Sequence, residues 1–179
     1  MKYLFLILIF LSNSLFGQIT HSINIGPDLG IPGKNISKVS SLGFGGSFEY
    51  VYKFSPKIGA RLYTGFSRFN GKTYDGFVAF WPIRAGIQAF IYEDVIFIYA
   101  DGGISNYSAS TGTKQTGPSF GFGAGYRQFL SKHQFIQVSA YFNYHKFKKA
   151  LFSQNYNYTW INFRVAYGLN WGRKSIQKE

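Results

Sequence analysis

The sequence predicts an all-β fold, an up-and-down antiparallel transmembrane β-barrel of about eight strands, preceded by a signal peptide. Three observations carry this prediction. Apolar and polar residues alternate along most of the chain, 21% of the residues are aromatic although the mean hydropathy is only −0.06, and the connections between strands alternate between short and long.

The first segment has the features of a secretory signal peptide. Lys2 precedes an apolar run from Tyr3 to Leu11, and small and polar residues follow from Ser12 to Gly17. A transmembrane helix needs about 20 apolar residues, and Ser12 interrupts this run well before that length. The chain has no Cys, so neither lipidation at the cleavage point nor disulfide bonds are expected. We expect cleavage after Gly17, which divides the chain into a signal peptide (1–17), a barrel (18–172) and a charged tail (173–179).

The composition of the remaining chain points to β structure. It is rich in Phe, Tyr and Gly, yet no second long apolar segment exists. This combination is typical either of a soluble β protein or of a membrane barrel, in which alternation averages out the hydropathy.

Alternation with a period of two residues identifies the strands, because successive strand side chains point to opposite faces. In the second segment Phe44, Phe48 and Tyr50 alternate with Gly43, Ser47 and Glu49. Most of the segments reach about 10 residues, the length that a tilted strand needs to cross a membrane. The predicted strands are Ile19–Ile31, Ser41–Phe54, Ile58–Phe69, Phe77–Ile91, Val95–Asn106, Ser119–Phe129, Phe135–His145 and Ile161–Trp171.

The connections give independent support for this topology. Tight turns are predicted at Ser55–Lys57, Tyr92–Asp94 and Ser131–His133. Longer polar stretches lie between them, at Pro32–Ser40, Asn70–Gly76, Tyr107–Pro118 and Lys146–Asn157. Membrane barrels of bacteria have short turns on the periplasmic side and long loops outside.

The orientation of the two strand faces separates a membrane barrel from a soluble, lipocalin-like barrel. A soluble barrel would turn its aromatic face inward, and an eight-stranded barrel has little room for such side chains. We therefore expect the aromatic face to point outward into lipid, where an Arg would cost about 2–4 kcal/mol at the midplane. The opposite face is expected to form a charge network in the lumen that consists of Glu49, Arg61, Arg84, Asp101, Arg127 and Arg164.

The sequence resembles the small outer-membrane β-barrel domain family, similar in architecture to the outer membrane protein A and X types. The resemblance covers nearly all of Gln18 to Trp171 and depends on the stretches INIGPDLGIP, SLGFGGSFEYVYKF, FWPIRAGIQAFI, IYADGGISNY and SFGFGAGYRQF. The tail after Trp171 departs from it, since many such barrels end on their last aromatic residue. The resemblance implies an integral protein of a Gram-negative outer membrane, with outer-membrane lipid, lipopolysaccharide and the barrel-assembly machinery as partners.

The motifs that could carry chemistry argue against an enzyme. The clusters Gly43–Gly46 and Gly121–Gly125 lie within alternating strands, whereas a phosphate-binding loop leads into a helix. The histidines His21, His133 and His145 show no metal-ligand spacing. His145 is the one candidate for the lipid-modifying chemistry that some barrels perform near their outer rim. A Ser two residues after the His would be required, and this chain has none there. We therefore expect His145 to face water. No catalytic residue, cofactor or metal is predicted.

The formal net charge of +12 indicates an anionic partner. An exported protein meets little nucleic acid, so we expect the basic run Lys146, Lys148 and Lys149 to contact lipopolysaccharide phosphates, unless it is merely solvated. The predicted function is a structural or surface-interaction barrel with a side-chain-filled lumen. Small-solute transport as a porin and, third, modification of lipid A are the alternatives.

Overall fold

The computed structural model describes residues 20–33, 36–37, 40–72, 76–147 and 156–172. The predicted signal peptide and the charged tail therefore lie outside the described residues. The described chain forms eight strands, which are β1 (Thr20–Pro32), β2 (Ser40–Lys53), β3 (Ile58–Gly71), β4 (Phe77–Tyr92), β5 (Ile96–Ala109), β6 (Lys114–Phe129), β7 (Gln134–Phe147) and β8 (Tyr156–Trp171).

The strands form a closed antiparallel barrel in sequence order. The first and last strands close it, with Ile23 opposite Leu169 and Leu29 opposite Phe163. Closure leaves no strand edge with unpaired backbone groups, which is the condition for placing a β-sheet in lipid. The predicted eight-stranded antiparallel barrel is thus confirmed. No helix among the described residues is long and apolar enough to cross a membrane.

The strands have 13–16 residues each, and six of the eight, β3 to β8, are longer than the sequence predicted. The predicted loop Tyr107–Pro118 is wrong over most of its length, because β5 and β6 remain paired there, with Tyr107 opposite Gln115 and Ser108 opposite Lys114. About 9–11 residues suffice to span a membrane, so these strands extend beyond it. The polar side chains between residues 107 and 118 therefore show where the apolar outer surface ends, although the pairing of β5 and β6 continues.

The barrel has two different ends. The connections at residues 54–57, 93–95 and 130–133 lie at the same end as the first residue of β1 and the last residue of β8, and we call this the turn end. The β5–β6 connection at the opposite end, residues 110–113, is equally short. The connections β1–β2, β3–β4, β5–β6 and β7–β8 lie at the opposite end, which we call the loop end.

The two faces of each strand differ as the alternation predicted. In β8, Ile161, Phe163 and Val165 are 44–54% exposed on the outside, whereas Asn162 and Arg164 are buried in the lumen. Similar apolar side chains cover the outer face of every strand, including Ile25, Phe48, Leu62, Ile87, Ile98, Phe122 and Val138. The barrel therefore carries a continuous apolar belt outside and buries charged side chains such as Glu49 and Arg164 inside, the reverse of a soluble barrel.

Candidate functional site

The lumen is the first candidate site, and Glu49 lies at its centre. Its carboxylate accepts hydrogen bonds from Arg61 Nε (3.0 Å) and Arg61 Nη2 (2.8 Å), and from Asn24 Nδ2 (3.1 Å). Arg127 and Arg164 each place a guanidinium nitrogen 3.6 Å from it. Glu49 is fully buried. One carboxylate thus holds three guanidinium groups that come from three different strands.

Asp101 forms the second branch of this network. It pairs with Arg61 and, at 3.0 Å, with Arg84 Nε. Arg84 also donates to Asn143 Oδ1 at 2.9 Å. The guanidinium of Arg61 lies 3.9 Å from the centre of the Tyr99 ring, a cation–π contact that offsets part of the cost of its burial.

The structure adds Asp28, which the sequence reasoning missed. Its Oδ1 lies 3.7 Å from Arg164 Nε, and Arg164 also donates to the backbone oxygen of Ser47 at 3.1 Å. The alternation contained the signal, because Asp28 shares its strand face with Ser22 and Asn24. Among the described residues, this network consequently holds three carboxylates against four guanidinium groups, a smaller excess of positive charge than the six predicted residues alone would give. We call these seven residues the central ionic layer.

A second group of side chains fills the lumen towards the turn end. Arg127 donates to Gln137 Oε1 at 2.8 Å, and its guanidinium lies 4.7 Å from the Phe135 ring and 5.1 Å from the Phe97 ring. At the mouth, Lys53 pairs with Asp94. Arg127 thus links the central ionic layer to what we call the turn-end cluster, which comprises Val51, Lys53, Gln88, Phe90, Asp94, Phe97, Phe135 and Gln137.

A third group fills the lumen towards the loop end, and it is almost entirely aromatic or apolar. The Phe80 ring lies 4.6 Å from Trp160, and the Phe69 ring lies 5.4 Å from Trp160. We call this group the loop-end cluster, which comprises Ile36, Phe69, Val78, Phe80, Ala109, His145, Phe147 and Trp160, with Tyr107 and Tyr158 packed against it.

The loop-end cluster corrects two expectations. First, aromatic side chains do enter the lumen, because small residues opposite them leave space. A Cβ on Gly30 would lie 2.9 Å from Phe69 Cζ, and a Cβ on Gly43 would overlap the same ring. Second, His145 does not face water. It is fully buried and stacks on Trp160 at 4.4 Å with an interplanar angle of 14°.

This location also bears on the catalytic candidate. His145 lies directly opposite Ser119 in the β6–β7 register, but neither of its ring nitrogens nor the Ser119 hydroxyl has a hydrogen-bond partner within the described chain. A nucleophile–base pair requires that hydrogen bond and access to substrate. Within the described residues, no group of three or more His, Asp or Glu side chains is arranged to hold a metal ion.

Of the three lysines predicted to contact lipopolysaccharide, the structure describes one, Lys146. Lys146 is exposed on the outer face of β7, one residue before the strand ends at the loop end. Lys148 and Lys149 lie outside the described residues.

Comparison with known proteins supports the fold. No family model matches the chain, and no curated protein sequence matches it. Among solved structures, Ail, the attachment invasion locus protein of Yersinia pestis, aligns with a TM-score of 0.62 and 16% identity, covering 86% of this chain and 99% of Ail. Neisserial surface protein A aligns at 0.55 and 13% identity, covering 84% and 95% of the two chains. OprG from Pseudomonas aeruginosa aligns at 0.53 and 12% identity, covering 88% and 98%.

These likenesses show the fold of the small outer-membrane β-barrels, the family that the sequence was expected to resemble. Combined with the apolar belt, they make this chain an integral β-barrel of the outer-membrane type. Ail has also been crystallised in complex with the heparin analogue sucrose octasulfate.

Proposed function

We propose that the protein is a closed barrel of the outer membrane with a structural or surface-interaction role, and neither a pore nor an enzyme. We further propose that it reaches the membrane through its cleaved signal peptide and the barrel-assembly machinery. The loop end then faces outward, and the function lies in this end and in the outer surface of the barrel.

One observation carries the proposal. The turn-end cluster, the central ionic layer and the loop-end cluster fill the lumen at three successive levels. The pocket at the turn-end mouth, between Lys53, Phe90 and Arg127, holds only about 10 Å³, which is about the space that one water molecule needs. A solute would have to displace all three levels in turn.

Conductance in planar bilayers tests the proposal. We expect the folded protein to show no stable porin-sized current steps. The double variant Phe80→Ala/Trp160→Ala removes much of the loop-end cluster and is a sharper test. It should also remain closed, because the central ionic layer and the turn-end cluster still fill the lumen. Reproducible large steps in the unmodified protein would make solute transport the leading function.

A second part of the proposal concerns the basic run of the last loop. We propose that Lys146, Lys148 and Lys149 contact phosphates of lipopolysaccharide, since Lys146 is exposed at the loop end and the charge of the chain favours an anionic partner. The triple Lys→Gln variant should lose affinity for lipopolysaccharide micelles at low salt, whereas Lys57→Gln at the turn end should not. Equal affinity of both variants would refute this contact.

A further inference from the structure

A pocket on the outer face of β4–β6 has the features of a lipid headgroup site. It is lined by Trp81, Asn106, Tyr107, Ser108, Lys114, Gln115 and Thr116 and has a volume of about 490 Å³, within the range of small-molecule sites. We call it the outer-rim pocket. None of its residues belongs to the central ionic layer or to the basic run of the last loop.

The strand register places its polar groups in two rows. Trp81, Asn106 and Thr116 lie side by side on neighbouring strands, and all three are exposed. The Thr116 hydroxyl donates to Asn106 Oδ1 at 2.7 Å, which orients the amide and leaves its Nδ2 group for a ligand oxygen. The Trp81 ring is held in place by Phe66, with ring centres 4.8 Å apart, and remains 48% exposed.

The second row, nearer the loop end, supplies positive charge. Arg68, Ala79, Ser108 and Lys114 are neighbours across β3–β6. Arg68 is held by stacking on the Phe77 ring at 4.2 Å. No carboxylate of the described residues pairs with Arg68 or Lys114. Because strands lie about 4.8 Å apart, three strand spacings separate the backbone positions of Arg68 and Lys114 by about 14 Å, and Arg68 lies beside the pocket whereas Lys114 lines it. The polar row of Trp81, Asn106 and Thr116 thus has a cation on each side.

The row on the other side of the pocket is apolar. Ile83 and Ile104 lie opposite each other and are 59% and 53% exposed, and Pro118 lies opposite Ile104 on β6. The pocket therefore lies where the outer face changes from apolar to polar, and Trp81 lies at this boundary, as Trp commonly does at a membrane interface. A ligand bound here would have its polar part among Asn106, Thr116 and Lys114 and its apolar part along the barrel wall.

We propose that the outer-rim pocket binds the phosphorylated sugar headgroup of an outer-leaflet glycolipid of the lipid A class. The aromatic face of Trp81 and the groups on Asn106 and Thr116 suit a ring that carries hydroxyl and amide groups. Lys114 and Arg68 suit phosphates on either side, and the isoleucine row suits acyl chains. This inference rests on the proposed location in the outer membrane, but not on the closed lumen.

Native mass spectrometry of the full-length mature protein, folded in mild detergent and titrated with diphosphorylated lipid A, tests this site. We expect one tightly held lipid and at least a tenfold loss of affinity in Lys114→Gln and in Trp81→Leu. Lys57→Gln, which removes the same charge at the turn end, should bind like the unmodified protein. Heat-dependent mobility on gels verifies that each variant is folded.

Three further probes identify the ligand chemistry. Dephosphorylated lipid A should bind at least tenfold more weakly, phosphatidylglycerol should not replace lipid A, and a water-soluble phosphorylated glucosamine should compete only weakly. Unchanged affinity of both pocket variants, or a loss seen only in Lys146→Gln, would overturn the site. Equal binding of the soluble sugar would overturn a lipid ligand. A pocket variant that no longer binds lipid but still shows no conductance would show that the outer-rim pocket and the closed lumen are independent of each other.

Discussion

Replacement of Glu49 by Gln is the most direct test of the central ionic layer. The change keeps the size of the side chain and one carbonyl oxygen, but it removes the charge that three guanidinium groups share. Arg61 would keep at most one neutral acceptor in place of the carboxylate, and Arg127 and Arg164, each 3.6 Å away, would lose their attraction to it.

The expected loss of stability can be worked from these distances. At an effective dielectric constant of about 20, two unit charges 3.6 Å apart attract each other by about 4–5 kcal/mol. The cost of burying the Glu49 carboxylate, which the variant no longer bears, offsets a large part of the summed attraction. Measured losses on removing one partner of a buried pair are about 3–5 kcal/mol, and we expect Glu49→Gln to fall in that range.

Urea unfolding of the barrel in lipid vesicles, followed by gel mobility without boiling, measures this change. The matched control is Glu93→Gln, which removes the same charge from the exposed β4–β5 turn and should alter stability by no more than about 0.5 kcal/mol. The double variant Glu49→Gln/Arg61→Gln should cost less than the sum of the single changes, because it also removes one of the unpaired cations. Equal stability of Glu49→Gln and Glu93→Gln would refute the reasoning.

Two other predictions concern the two faces of the barrel. Phe163→Arg places a charge midway along β8 on the lipid side, which should lower the stability of the barrel by about 2–4 kcal/mol and reduce its insertion into vesicles. Phe163→Leu should insert normally. Equal insertion of the two variants would contradict the outward placement of this face. Gly86→Ala should destabilise the barrel by about 1–3 kcal/mol in the same urea assay, because the added Cβ would overlap the backbone oxygen of Ala100 on the neighbouring strand. Gly46→Ala is its control, since the nearest atom there is 3.5 Å away, and similar effects of both changes would count against the packing of the lumen.

Much of the fold followed from the sequence because alternation is a local property. In a strand, each pair of neighbouring residues indicates which side faces lipid, so the number of strands and the inward position of Glu49 and the arginines were predictable from the printed chain. The predicted order of short and long connections was wrong at β5–β6, where only residues 110–113 join the strands. The ends of the strands were less predictable. The strands β5 and β6 continue past the apolar belt, where polarity no longer distinguishes a paired strand from a loop.

What the tertiary structure alone decided is which side chains meet across the lumen. Tyr63 and Tyr141 share a hydrogen bond of 2.7 Å although 78 residues separate them, and Arg164 reaches the backbone of Ser47 over 117 residues. Such pairs depend on the register of all eight strands and on where glycines leave space for a ring or a guanidinium group. The sequence alone therefore determined the barrel and the outer position of its apolar belt. The register of the strands, which no local pattern specifies, brings Trp81, Asn106 and Lys114 into one pocket, and the closure of the barrel brings aromatic rings from different strands together in the lumen.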